Sequence, residues 1–208
     1  MLGVCALSAA CTKGGQKVDS AAAADSAAKA AAAATPPPPA AVVLTDANIF
    51  ALLDEANAAD SAAGAIAATK GTSASIKEFA RTMEKDHHAL RKGAQDLAKK
   101  LNITPAPPAN DTLPAAAQKM ADNLNAQPKG PAWDKAYIDN EVAVHQAVLT
   151  LLTAAQAAAQ DTALKAAIGK AQPLVQQHLT RAQGIQTKLG ATASAAPSGA
   201  DTGKKKAP

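Results

Sequence analysis

Aromatic rings are scarce in this sequence: Phe50, Phe79, Trp133 and Tyr137 make up 2% of it. A core without large rings offers little apolar area per residue, and the alanine that fills the space favours helix. Continuous β-branched runs and hairpin dipeptides are missing from the middle of the chain, which argues against a sheet and for an all-α domain. Cysteine is limited to Cys5 and Cys11, both at the N-terminal end, so the body of the chain has no thiol for a disulfide, a metal or redox work. Nucleophile elbows and phosphate loops are absent, as are acid/base pairs set to form a cleft. Nothing in the residues calls for an enzyme.

A basic face is lacking too, despite a formal net charge of +4. Residues 44–190 hold 15 Lys/Arg against 14 Asp/Glu, so the surplus lies in the tails, chiefly Lys204, Lys205 and Lys206. Binding a polyanion calls for a basic stripe, and a single strand also calls for stacking rings. Nucleic acid is therefore not an expected partner.

What is present begins with an address. Met1 to Ala10 is apolar but too short to span a bilayer, and small residues precede Cys11 as a processing site requires. L-S-A-A-C resembles the lipobox of bacterial lipoproteins, in which the cysteine is lipidated and becomes the first mature residue. Ser8 stands where a branched apolar residue is usual, and no Lys or Arg precedes the apolar run; a true start upstream of Met1 would account for the latter. On this reading residues 1–11 are a signal remnant ending at Cys11. Residues 12–43, rich in Ala and Ser and containing Pro36 to Pro39, form a disordered tether. Residues 44–190 are the folded domain and 191–208 a disordered basic tail. Thr12 after the cysteine resembles the pattern sorted to the outer membrane, which would place the domain in the periplasm.

Helix signals fill the domain. The first helix is expected over Asp46 to Lys70, capped by Thr45 or Asp46 and closed by Gly71. The second runs from Ser75 to Asn102, with Ser75 and Glu78 as a capping box. A short helix spans Leu113 to Gln127, with Pro114 in its first turn. Long helices follow over Ala132 to Gln160 and over Thr162 to Leu189, the last stopped by Gly190 and kinked or bulged at Pro173. Two long hairpins with a short helix on the crossover have the connectivity of a ferritin-like four-helix bundle.

Three of the four histidines fall on apolar seams. His87 follows Ile76, Ala80 and Met83 at steps of four and three; His145 follows Ile138 and Val142; His178 follows Ile168, Ala171 and Val175. Such spacing keeps residues on one helix face, and an inward imidazole needs a partner. His145 and His178 are both roughly 24 Å from the turn that joins their helices, and Asp60 and His87 are similarly matched across theirs. If the hairpins are in register, these four residues form one layer. With Glu84 or Glu141 nearby, His87, His145 and His178 offer ligand types for a single zinc, copper or iron ion. Glu84 and His87 form the E-x-x-H pair of di-iron bundles, but near His178 only Gln176 and Gln177 occur, so a di-iron oxidase is disfavoured. The plainer alternative is a structural layer of neutral imidazoles bonded to acids, amides or water. Converging ring nitrogens would fit a shared ion, and rings each paired to a different group would fit the structural layer. Met83 reads as core filler and His88 as solvated. Asp86 either orients the neighbouring site or faces water, and Trp133 and Tyr137 cover one end of the bundle.

Three stretches carry a resemblance: I-K-E-F-A-R-T-M-E-K-D-H at Ile76–His87, W-D-K-A-Y-I-D-N-E-V-A-V-H at Trp133–His145, and L-V-Q-Q-H-L-T-R-A at Leu174–Ala182. They resemble the bacterial domain-of-unknown-function 4142 family, which is ferritin-like and has no settled biochemical role. Its members resemble exported envelope proteins, which suits a lipidated Cys11, and tend to carry Glu where this chain has Asp60. The expectation is an envelope lipoprotein anchored through Cys11, serving as a binding or structural module with an envelope protein as partner. The alternative is a three-histidine metal protein in metal handling or stress response.

Overall fold

The computed structural model describes residues 44–195, with side chains to 191; expectations for Cys11, for residues 12–43 and for the end of the tail fall outside them. The described residues form five helices and no strand: α1 (Asp46–Lys70), α2 (Ala74–Lys100), α3 (Leu113–Ala126), α4 (Pro131–Ala158) and α5 (Thr162–Ala195). α1 packs along α2 and α4 along α5, both more closely than α2 meets α5, while α3 lies on α1.

Close packing of α1 on α2 follows from small residues. Ala63 and Ala67 of α1 and Ala80 of α2 are fully buried. At Gly64 the backbones come so close that a Cβ would lie 2.8 Å from both the Ala80 carbonyl oxygen and the Glu84 nitrogen. Gly71 serves the turn for the same reason rather than through a left-handed backbone: its φ is −54°, and a Cβ there would meet the Ala67 oxygen at 2.7 Å.

The helix ends differ in detail from the sequence signals. Thr45 caps α1 and shares a capping box with Asn48. α2 is capped by Ser73, whose hydroxyl accepts from the Ile76 amide, so Ser75 and Glu78 are not its capping box. α2 closes through Asn102, at φ 54°, with Ile103 N–H donating to the Ala98 carbonyl, a left-handed exit that asparagine tolerates. α5 passes through Pro173 and does not stop at Gly190 but runs on to Ala195. Glycine permits a left-handed stop without compelling one, and alanines beyond it favour continued helix.

Each hairpin loop is held by a carboxylate from the other hairpin. Asp134, in the first turn of α4, accepts from the Thr72 amide and hydroxyl and from the Ser73 amide at 2.7–2.8 Å. Asp46, in the first turn of α1, accepts from the Gln160 and Asp161 amides at 2.8 and 2.9 Å. The crossover is tied down as well. Lys70 Nζ donates to the carbonyls of Leu124, Asn125 and Gln127, and Trp133 Nε1 to that of Leu124. Trp133 stacks on Tyr137 with ring centroids 5.6 Å apart, at the end of the domain where these residues were expected.

Two apolar cores result. One gathers Ala63, Phe79, Met83, Tyr137, Ile138 and Ala182; the other gathers Phe50, Ala98, Leu152, Leu164, Ile168 and Val175. On each of the four long helices a buried polar residue separates the two sets: Asp60, His87, Glu141 with His145, and His178.

Two substitutions test this packing. Gly64→Ala should force α1 and α2 apart and cost about 1–3 kcal/mol in chemical denaturation. Asp134→Ala removes three bonds to a buried carboxylate and should cost at least about 2 kcal/mol. A loss below about 0.5 kcal/mol in either variant would contradict the close approach or the tie.

Candidate metal centre

His87, His145 and His178 meet in the layer between the cores. Their ring centroids are 5.3 to 5.6 Å apart, and one ring nitrogen from each lies within 4.8 Å of one from the others. Asp60, Glu141 and His145 form a second set at the same spacing, so His145 joins three imidazoles to two carboxyl groups. All five residues are buried to 2% exposure or less.

Each imidazole is anchored through one nitrogen. His87 Nδ1 bonds Asn57 Oδ1 at 2.9 Å, His145 Nδ1 the Glu141 carbonyl at 2.9 Å, and His178 Nε2 the Asp86 carboxylate at 3.1 Å. All three partners are acceptors, so the anchored nitrogen carries the proton and the opposite one presents a lone pair. Those opposite atoms, His87 Nε2, His145 Nε2 and His178 Nδ1, have no hydrogen-bond partner. Both oxygens of Asp60 are also buried without partners, and the Glu141 carboxyl is buried with the Tyr137 hydroxyl as its hydrogen-bonding neighbour. Once the carboxyls are ionised, the three lone pairs and the carboxylate oxygens are all acceptors and cannot satisfy one another while the rings hold these tautomers. A cation can satisfy them, and an outer acceptor that fixes the tautomer of a ligating histidine is the usual second layer of a metal site.

Burial sets the protonation of the metal-free cluster. It pushes His87 down to about 3, helped by His145 and His178, and His145 down to about 4. His178 is also lowered by burial, against the pull of Asp86. Asp60 is raised to about 7 by burial, and Glu141 is held well above the ordinary carboxyl range by burial and then by Asp60. Burial, then Glu141, likewise raises Tyr137. Below about pH 7, three neutral imidazoles and two protonated carboxyls carry no charge. A divalent ion that displaces both carboxyl protons leaves the total unchanged.

Glu84 is the sequence candidate that the structure leaves out. It is exposed, and only its backbone reaches α1, where its carbonyl accepts from Ser61. Met83 holds the seam position one turn before His87 and is fully buried, so Glu84 points away from the layer. Among the described residues this removes the E-x-x-H ligand pair. His88 is exposed, as expected. Asp86 orients His178, one of the two roles its position allowed. Asn57, one turn before Asp60, was missed; its i−3 spacing from a seam acid was the available signal.

The chain belongs to the family described as a domain of unknown function, DUF4142, which matches residues 19–185. No curated protein and no solved structure matches it.

The shifts have opposite consequences for stability. Unfolded histidines protonate near pH 6.5, whereas the folded rings stay neutral, so each of them costs stability as pH falls below that value. Asp60 acts in reverse: between about pH 4 and 7 the unfolded chain has released a proton that the folded chain keeps, so stability falls as pH rises. In metal-free protein, Asp60→Asn should therefore gain on the parent by up to about 1.4 kcal/mol per pH unit across that window. Denaturation midpoints at pH 5 and 7 measure this, and a pH-independent difference would reject the raised carboxyl.

Proposed function

We propose that this chain is a ferritin-like envelope protein that binds one divalent transition-metal ion through His87, His145 and His178, with Asp60 and Glu141 closing the site. The observation that carries the reading is the set of three buried, partnerless ring nitrogens, each opposite a nitrogen fixed by an acceptor. Imidazole and carboxylate select a borderline transition ion such as zinc, iron or copper(II) over magnesium or calcium. Two displaceable protons match a dication. A purely structural layer would satisfy its own polar atoms, at about 1–3 kcal/mol for each one left unmade.

The address is part of the proposal. Among the described residues no helix is long and apolar enough to cross a membrane. The L-S-A-A-C sequence and the low-complexity stretch after it support lipidation at Cys11, with the domain held off the membrane on residues 12–43. Cys11→Ser should abolish incorporation of labelled palmitate in cells that process lipoproteins, and labelling that persists would reject the anchor.

The metal reading predicts about one equivalent of ion in protein purified without chelator. At a hundredfold excess over the dissociation constant, binding should add about 2.7 kcal/mol and raise Tm by roughly 5–11 °C. Uptake should release protons in weakly buffered titration, because Asp60 and Glu141 ionise as they bind. His145→Ala should abolish uptake. Absence of ion by elemental analysis, together with an unchanged Tm in zinc, copper and iron, would overturn the proposal.

A further inference from the structure

The weaker meeting of the two hairpins leaves a cavity of about 400 Å³ that is open to solvent. It extends from the polar layer towards the domain end formed by the start of α1 and the α4–α5 turn. Phe50, Leu97, Leu152, Leu164 and Ile168 line its far part; Asn57, Asp60, Asp86 and His87 lie at its inner end. Phe50 and Asp60 are ten residues apart on one helix, which makes the cavity about 15 Å long. The opening arises where α2 presents Gly93 and Ala94 and α5 presents Ala167 and Ala171. Four small residues facing the gap cannot fill it.

The shape and chemistry are polarised. Apart from Lys170, the far walls carry no hydrogen-bonding side chain, and a dry apolar cavity of less than half this volume is enough to bind a hydrocarbon ring. A volume of 400 Å³ falls within the range of small-molecule sites. The inner end is rich in acceptors. Both Asp60 oxygens are buried without partners, and the Asp86 carboxylate accepts from His178. The lining cation, Lys170, belongs to an exposed residue outside the polar layer. A sugar or nucleotide would leave most of its polar groups unmatched against such walls, and an anionic head would meet the Asp86 carboxylate.

We infer that this cavity binds an unbranched aliphatic molecule of medium length, with a single hydrogen-bond-donating head, an alcohol or a primary amine, seated at Asp60 and Asp86. The site goes beyond the metal reading in its apolar part but shares Asp60 and His87 with it, so alkyl binding is measured on chelator-treated protein. It places the head of the bound molecule beside the histidine cluster and its chain in the apolar far part.

The test is calorimetric titration of the full chain with decanol, decylamine and decanoate below their aggregation limits. Decanol or decylamine should bind at one equivalent, with decanoate at least tenfold weaker. The relative strength of the first two tells which donor head is preferred. No binding by either, or decanoate binding as tightly as both, overturns the inference. Ala171→Phe, which fills the gap away from the histidines, should weaken alkyl binding at least tenfold and leave metal affinity within twofold; undiminished alkyl binding overturns the location. Nuclear Overhauser contacts from the alkyl chain to the Leu152 and Ile168 methyl groups locate the site without any substitution, and contacts confined to other residues overturn it. Ion uptake by the same preparation is read separately. Ion uptake without alkyl binding sinks the cavity alone, and alkyl binding without ion uptake sinks the metal reading alone.

Discussion

Two carboxylates set the level at which everything else meets. Asp46 and Asp134 each stand in the first turn of one helix and bind the loop amides of the opposite hairpin. A hairpin of alanine-rich helices has little to fix its axial position against another, because small side chains form shallow ridges. Hydrogen bonds from a carboxylate to loop amides have a narrow range of length and direction, so they resist sliding at both ends. An axial shift of one helical turn would move a residue by about 5.4 Å and take His145 and His178 off the level of Asp60 and His87. The polar layer depends on ties made at the domain's two ends.

Within that register the layer opposes the fold around it. Apolar cores lie on both sides, and the five residues between them bring buried atoms without partners. Alanine-rich packing provides limited apolar area to offset this cost. Small residues let α1 and α2 approach within van der Waals contact at Gly64, and others of the same kind leave α2 and α5 apart at Gly93, Ala94, Ala167 and Ala171. Close contact within one hairpin and a cavity between hairpins thus share one compositional cause.

Much of this was legible in the chain. Seam spacing identified His87, His145 and His178, and counting residues from the turns put Asp60 at the same depth. Five helices, no strand among the described residues, and near-matching helix bounds followed from capping residues and prolines. Glu84 was misread because the E-x-x-H spacing says that two residues are neighbours on a helix without saying which of them faces inward. Met83 already held the inward position. Ser75 and Glu78 matched a capping box by type, but the Asp134 tie holds Thr72 and Ser73 in the turn, and Ser73 takes the cap. The links from Asn57 to His87 and from Asp86 to His178 join residues 30 and 92 positions apart. Local periodicity cannot see such partners.

Sequence also framed a choice that the geometry dissolves. Rings paired to different groups and rings converging on one point looked like alternatives, yet an imidazole has two nitrogens and can do both. Here each ring is paired through one nitrogen and unpaired at the other. Pairing fixes the proton on one nitrogen and leaves a lone pair on the other, so the bonds that would have marked a structural layer prepare the rings to ligate a cation. The two protonated carboxyls then supply the charge balance. Without an ion, the layer is a net cost held in place by Asp46 and Asp134. With one, it links all four long helices at mid-height.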